Sequence, residues 1–424
     1  MKLDVTSEIG RLHSVLVHLP GREIDLMVPP MMAQLLFDDI LYGQLAREEH
    51  RRFQQIIRFV AENVIELQDL IEEVFDDPES RDLIIREVSK TNRLSRKIVA
   101  SLREMPAAAL AEVMIGGIVI ERSGSGELPR FALPPVPNFY FTRDPQVVIG
   151  DGVAISAMAT EARQRESLLA QYVFRYHRAF RGDDILWLDR DDSAWPGSAT
   201  AARRRPTLEG GDVIVASAEL LIVGISERTN RRGVERLARS LRTSKSRVRT
   251  IIVVELPKQR SFMHLDTVFT FTSRNECLIY PPVLLPGGSQ AAKISTIDLR
   301  KPAIEYTSQK SLLAALKKQK FDLEPIFCGG NSAIDQQREQ WTDGANAFAL
   351  APGIVLLYER NVRTAEELDR HGYHIVYEDD LLLGRTELET WSDKKYAIQI
   401  QGHELSRARG GPRCMTMPLE RDAL

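Results

Sequence analysis

From residue 146 onward the chain repeats one local order, strand, turn, strand, helix, strand, and this repetition limits its possible folds more than any other feature. Gln146-Val147-Val148-Ile149, the turn Gly150-Asp151-Gly152 and Val153-Ala154-Ile155 lead into a helical stretch and then Ile185-Leu186-Trp187-Leu188. Residues 212–255 repeat the order and end in Ile251-Ile252-Val253-Val254. Residues 347–377 do so again, with Ala347-Phe348-Ala349-Leu350, Ile354-Val355-Leu356-Leu357, a helix, and His374-Ile375-Val376-Tyr377. That helix carries a capping-box pair, Thr364 and Glu367, and a terminating Gly372. A degenerate fourth copy starts at Thr267, with strands Val268-Phe269-Thr270 and Cys277-Leu278-Ile279-Tyr280. A fifth is expected from the two ends of the chain, Cys414-Met415-Thr416-Met417 and Val15-Leu16-Val17. Radial repetition of such units builds a closed, propeller-like α/β ring.

One segment breaks the repeat. Between Gln44 and Ile115 there is no glycine and there are two prolines, Pro78 and Pro106. Phe53, Ile56, Ile57, Val60 and Val64 recur at helical spacing, as do Leu67, Leu70, Ile71 and Val74. Residues 40–114 are therefore predicted to form a small helical bundle inserted into the α/β ring. The ring is then built from residues 1–39 and 115–424.

Composition excludes several functional classes. A net charge of −3 offers no basic excess for phosphate neutralisation, which argues against a dedicated nucleic-acid binder. The clusters Arg203-Arg204-Arg205 and Arg239 to Arg249 read as solvated surface. Three scattered cysteines fit a reducing compartment and no CxxC pair suggests a structural metal. No eighteen apolar residues follow one another, and Val15-Leu16-Val17 is cut short by His18 and Pro20, so a cytoplasmic protein without membrane spans is expected.

The polar motifs fall at equivalent places in the repeat. Asp144, Glu209, His264 and Cys414 each stand just before the opening strand of a unit. In a closed ring such positions converge near the axis, so residues 270 positions apart can share one pocket. Together they offer a thiol, an imidazole and carboxylates, counting Asp212 and Asp266. A thiol attacks electrophilic carbon, an imidazole shuttles protons and carboxylates hold a cation, which suggests a guanidinium substrate.

Each motif is weak alone. Asp144-Pro145 reads equally as a turn starter, Glu209-Gly210-Gly211-Asp212 as a turn, and His264 as a structural histidine with Asp266 on the same face. Cys414 follows Arg409-Gly410-Gly411, whose glycines allow close backbone approach. Cys328, followed by Gly329-Gly330, is its rival as a nucleophile, and Cys277 between strand residues reads as packing.

In this order the motifs resemble the arginine deiminases of the guanidino-modifying superfamily. The matching stretches are Ser7-Glu8-Ile9-Gly10 through Gly21, Pro137-Asn138 to Pro145, Glu161-Ala162-Arg163, Leu208 to Asp212, Ile225-Ser226-Glu227-Arg228-Thr229, Met263 to Phe269, Arg338-Glu339-Gln340-Trp341 and Gly410 to Pro418. The resemblance implies a fivefold pseudosymmetric α/β propeller with an inserted helical domain. It implies hydrolysis of free L-arginine to L-citrulline and ammonia through a covalent cysteine thiouronium, with no metal or other cofactor, and a homo-oligomer. By motif, Cys414 is the nucleophile, His264 the general acid and base, Asp144 and Asp266 the guanidinium grip, and Glu209 a bridge between guanidinium and imidazole. Asn138, Arg163, Arg228 and Arg409 would recognise the substrate's α-carboxylate and backbone, with Phe141 against its stem. Cys328 drops out as catalyst.

One departure stands out. Arg407-Ala408-Arg409 puts alanine where the family's first loop glycine is expected, adding about 0.5–1 kcal/mol of strain if that backbone needs a positive φ. Two other classes of function stay open beside the first. One is a related guanidine enzyme acting on agmatine or methylarginine or transferring the amidino group, and the other is a non-catalytic arginine-binding sensor. Arg163 and Arg228 discriminate, because a substrate without a carboxylate gives them nothing to bind.

Overall fold

Short hairpins of buried β-branched and aliphatic residues organise the chain. The computed structural model describes residues 1–120, 129–180, 186–188, 205–244, 246–390 and 392–424. Of the sequence features above, Ile185, Arg203 and Arg204 lie outside the described residues.

Four repeats of the expected order are present, each an antiparallel hairpin whose second strand gains a parallel neighbour. Gln146–Ile149 pairs with Gly152–Ile155, and Leu186–Leu188 adds in parallel after the helix Gln164–Tyr176. Val213–Ser217 pairs with Leu220–Ile225, and Thr250–Glu255 follows the helix Arg231–Thr243. This sheet is extended to five strands by the hairpin Lys293–Asp298 and Thr307–Gln309. Phe269–Phe271 pairs with Glu276–Ile279, whose parallel neighbour is Glu324–Phe327.

In the fourth repeat the structure differs from the sequence expectation. Phe348–Ala351 and Ile354–Tyr358 form the hairpin, yet the strand beside them is Lys395–Ile400, and Tyr373–Tyr377 lies beyond it at the edge. Burial explains the order. Five of the six residues in Lys395–Ile400 are buried, as an inner strand requires, whereas only Tyr373 and Val376 of Tyr373–Tyr377 are buried. The following helix boundary differs too. Val362–Arg370 begins after Asn361, and the expected Thr364–Glu367 capping box does not form. The Glu339 carboxylate caps this end from another helix, accepting the amides of Arg363 and Thr364 at 2.7 Å each. Gly372 does end the helix, with φ 83°.

The two ends of the chain meet in one sheet. Leu12–Val17 pairs antiparallel with Met417–Arg421 and parallel with Asn63–Glu66. The strand Asn63–Glu66 lies inside the stretch 40–114 that was expected to be wholly helical. The helix Gly43–Ile57 is thus the crossover of this sheet, and four helices follow: Leu67–Phe75, Pro78–Asn92, Arg96–Glu104 and Ala107–Gly116. Leu70, Ile71, Val74, Leu110 and Met114 of these helices share one apolar core with Val148, Val153 and Leu169 of the first repeat. Among the described residues no helix is long and apolar enough to cross a membrane.

Candidate active site

Short turns ahead of the hairpins carry the polar side chains into one cluster. The turn Gly210–Asp212 precedes Val213–Ser217 and the turn Leu265–Thr267 precedes Phe269–Phe271. Asp144 stands two residues before Gln146–Ile149, and Cys414 three before Met417–Arg421. Glycine makes the approach possible. A Cβ on Gly211 would sit 2.7 Å from His264 Nδ1 and 2.9 Å from Asp144 Oδ1, so only hydrogen lets these elements close up. A side chain on Gly410 would run into the Phe141 ring.

Two linked groups result. In the first, His264 Nε2 and Glu209 Oε2 are 2.8 Å apart, and His264 Nδ1 lies 3.6 Å from Asp144 Oδ1. The Arg163 guanidinium bonds Asp144 Oδ2 at 2.7 Å, lies 3.8 Å from Glu209 and forks onto Glu166 at 2.7–3.1 Å. In the second, Cys414 Sγ is 3.8 Å from Asp266 Oδ2, the same oxygen that accepts from Arg413 Nη1 at 2.8 Å. The Cys414 amide donates to Asn346 Oδ1 at 3.2 Å, and the Asn346 amide donates to the Asp266 carbonyl.

A cavity of about 20 Å³ joins the two groups, bordered by Asn138, Phe141, Asp144, Arg163, Arg228, His264, Arg409 and Cys414. That volume holds roughly one water, so the resting site is nearly closed. All of these residues are buried. Asp144, Glu209 and His264 also stand close enough to share a metal ion, though Arg163 supplies a cation to the same two carboxylates.

The unpartnered atoms are the informative ones. Asp144 Oδ1 and Asp266 Oδ1 are buried acceptors without a hydrogen bond among the described residues. Arg228 Nε and Nη1 and Arg409 Nε and Nη2 are buried donors without one. Buried polar groups are nearly always paired, so such a set points to a missing ligand. Its free acceptors ask for a cation and its free donors for an anion.

Charge sets the resting protonation. Burial alone would lower the His264 pKa, but Asp144 and the bond to Glu209 outweigh it and bring it up to about 9, so the ring is an imidazolium at neutral pH. Burial, Asp266 and Asp144 all push the Cys414 thiol up, which favours the neutral thiol. A bound cation would offset those carboxylates and favour the thiolate.

The remaining sequence expectations are placed as follows. Asn138 donates to the Leu35 carbonyl at 2.7 Å and turns its own carbonyl toward Arg163, while Phe141 packs beside Tyr140. The condition for strain at Ala408 is not met: Ala408 ends the turn Leu405–Ala408, and it is Arg409 that takes a positive φ, 66°. Asp212 is outside the cavity wall; it accepts the Leu265 amide and the Ser226 hydroxyl. Cys328 is buried 3.6 Å from the Thr364 hydroxyl, away from the cavity, and Cys277 is buried in its strand. Glu166, Asn346, Arg413 and Glu8 were not singled out. Asn346 had a signal, since it stands before its repeat's opening strand as Asp144 and His264 do.

Comparison with known proteins bears on the family and the fold. The family model described as "Arginine deiminase" matches residues 33–421. Proteins named arginine deiminase are similar along their whole length. The one from Bacillus thuringiensis is 34% identical, covering 99% of this chain and 98% of its own. The one from Clostridium perfringens is 36% identical, covering 100% and 98%. Among solved structures, the amidinotransferase SxtG of Microseira wollei has a TM-score of 0.54 at 12% identity, covering 100% of this chain and 98% of its own. The product-bound N-terminal domain of the cyanobacterial arginine dihydrolase ArgZ has a TM-score of 0.50 at 14% identity, covering 96% and 97%. At that identity these two speak for a shared α/β fold.

Proposed function

The chain belongs to the arginine deiminase family, and we propose that its site hydrolyses free L-arginine to L-citrulline and ammonia. The observation that carries this reading is the pairing of unpartnered acceptors on Asp144 and Asp266 with unpartnered donors on Arg228 and Arg409. A molecule with a guanidinium at one end and a carboxylate at the other satisfies both sets. The Arg163 guanidinium on Asp144 supports it further, because it is a guanidinium already seated on the same carboxylates.

The chemistry follows from the residues. Guanidinium is resonance-stabilised, so carboxylates must localise it before attack. Asp144 and Asp266 grip it, and its charge offsets the carboxylates that hold Cys414 neutral. On binding, Cys414 gives up its thiol proton to solvent, and the thiolate adds to the central carbon, giving a tetrahedral adduct. The His264 imidazolium gives its proton to the departing nitrogen, ammonia leaves, and an S-alkylthiouronium remains. Neutral imidazole then takes a proton from water, the hydroxide adds, and collapse expels the thiolate and, as the hydroxyl proton passes to solvent, citrulline. Glu209 keeps the ring oriented through both steps.

Arg228 and Arg409 receive the α-carboxylate, Phe141 lies along the aliphatic stem, and Asn138 helps frame the substrate end. Arg163 must leave Asp144 for the substrate to bind. Of the six sheets among the described residues, the five with three or more strands support a fivefold propeller arrangement, with the helices from Leu67 to Gly116 as the inserted helical domain. A cytoplasmic homo-oligomer working without metal or other cofactor belongs to the same proposal. The test is direct: purified protein given L-arginine should release equal amounts of citrulline and ammonia. Turnover of agmatine at an equal kcat/KM would instead favour the related guanidine enzymes, and binding without turnover a sensor.

A further inference from the structure

The far ends of the hairpins carry a second site. The catalytic turns precede the opening strands, so the hairpin turns at residues 150–151, 218–219 and 272–275 fall one strand length away, roughly 10–17 Å at about 3.3 Å per residue. At this end lies a cavity of about 440 Å³. A second, of about 230 Å³, shares Thr6, Ser217, Ala218 and Arg247 with it, so the two form one cleft. This is the volume of a metabolite, well beyond what a single ion fills.

Its chemistry is uneven. Arg247, Arg274 and Lys320 border the larger cavity and are exposed, and none of their side chains makes a hydrogen bond or ion pair among the described residues. Phe271 and Phe321, with ring centroids 5.9 Å apart, supply an apolar wall. Thr6, which borders both cavities, is 8% exposed and its hydroxyl has no partner. The nearby carboxylates are partly committed: Asp4 pairs with Lys2, and Asp151 borders the smaller cavity. Glu8 is held by Arg413, and Glu219 lies in electrostatic reach of Arg300. Three free cations, a buried free hydroxyl and an aromatic wall fit a small phosphate ester with a flat body.

The cleft is wired to the reaction centre. Glu8 borders it, and its carboxylate accepts Arg413 Nε at 3.2 Å and Nη2 at 3.0 Å. The remaining nitrogen of Arg413 donates to Asp266 Oδ2 at 2.8 Å, and that oxygen is 3.8 Å from the Cys414 sulfur. One arginine therefore separates the cleft from the carboxylate proposed to grip the substrate. We propose that this cleft is a regulatory site for a nucleotide-like phosphate ester, whose occupancy alters substrate binding through Glu8, Arg413 and Asp266.

Calorimetry on the full chain with ATP, AMP and inorganic phosphate as probes tests the idea. ATP or AMP should bind at least tenfold more tightly than inorganic phosphate and change the KM for arginine by about fivefold or more. Arg247→Ala, Arg274→Ala and Lys320→Ala combined should abolish both effects while leaving KM without nucleotide intact. Absence of nucleotide binding, binding undiminished in the triple variant, or binding that leaves kcat and KM unchanged would each overturn the proposal. Binding can be read on Cys414→Ser as well, so failure of the deiminase reading would not be confused with failure of this one.

Discussion

The Arg163 guanidinium lies 2.7 Å from Asp144 Oδ2, on a carboxylate whose other oxygen stands 3.6 Å from His264 Nδ1 and has no hydrogen bond. One carboxylate thus faces an internal guanidinium on one side and the proton carrier on the other. Arg163 is also held by Glu166 through three contacts of 2.7–3.1 Å, so it can let go of Asp144 without losing its charge partner.

Removing Arg163 should leave Asp144, Glu166 and Glu209 facing one another in a buried site. Arg163→Ala is expected to lose about 3–5 kcal/mol of stability, as for one partner of a buried ion pair. Millimolar guanidinium, far below its denaturing range, should then raise the variant's Tm and leave the wild type unmoved. Thermal unfolding with and without the ion measures this, and equal responses in both proteins would show that Arg163 does not occupy a guanidinium subsite.

Substrate choice should follow the free donors of Arg228 and Arg409. Agmatine lacks the carboxylate, leaving them unpaired at a cost of about 2–5 kcal/mol, a factor of ~30 to several thousand in kcat/KM. Arg228→Leu should erase most of that preference by harming arginine more than it helps agmatine. Side-by-side kinetics decide it; a wild type indifferent to the carboxylate would remove both arginines from substrate recognition.

The acid–base group has a direction of its own. His264 is brought up from 6.5 to about 9, so the imidazolium predominates below about 9 and is lost as pH rises through it. Loss of the proton donor should set the alkaline limb of the rate profile. Asp144→Asn removes the principal negative charge raising that pKa, so the ring should titrate at lower pH. Imidazole NMR in the Cys414→Ser background reports this without turnover. An unchanged or raised pKa in Asp144→Asn would contradict the assigned electrostatics.

The three thiols should separate cleanly. Cys414→Ser is expected to fold and bind arginine but lose turnover, because a hydroxyl is far less ionised and less nucleophilic. Cys328→Ser should stay active. Acid quenching with labelled arginine should leave label on the Cys414 peptide, and label found on Cys328 would move the nucleophile.

How much of this was legible in the sequence depends on range. Strand, turn and helix order reads from local periodicity, so the hairpins and the pre-strand placement of Asp144, Glu209, His264 and Cys414 were accessible. The order of strands beyond each hairpin was not, because Lys395–Ile400 slips inside Tyr373–Tyr377 through burial set by the whole sheet. Asn63–Glu66 was likewise hidden, since four residues in a helical neighbourhood show no period until Leu12–Val17 lies beside them. The site partners divide in the same way. Asn346 could have been found from its pre-strand position and Glu166 from its i,i+3 spacing to Arg163, whereas the contact of Glu8 with Arg413, far apart in sequence, depends on geometry that no spacing records.

Trp341 gives the finest test, because it touches an arginine rather than the substrate. The Arg409 guanidinium stacks 3.7 Å from the centre of the Trp341 ring and donates to the Trp341 carbonyl at 2.8 Å. Its backbone sits at φ 66°, strained for a residue with a Cβ, and its Nε and Nη2 are buried and free. The indole thus fixes one face of a guanidinium whose other N–H groups border the cavity. A cation–π contact of this kind contributes about 0.5–2 kcal/mol, so Trp341→Ala should raise the KM for arginine by a factor of ~2–30. The kcat should change little, Trp341→Phe should fall between, and agmatine, with no carboxylate for Arg409, should show no rise. Parallel KM measurements on the two substrates distinguish this from general loosening of the fold. If agmatine and arginine weaken together, Trp341 only supports the loop and does not aim Arg409.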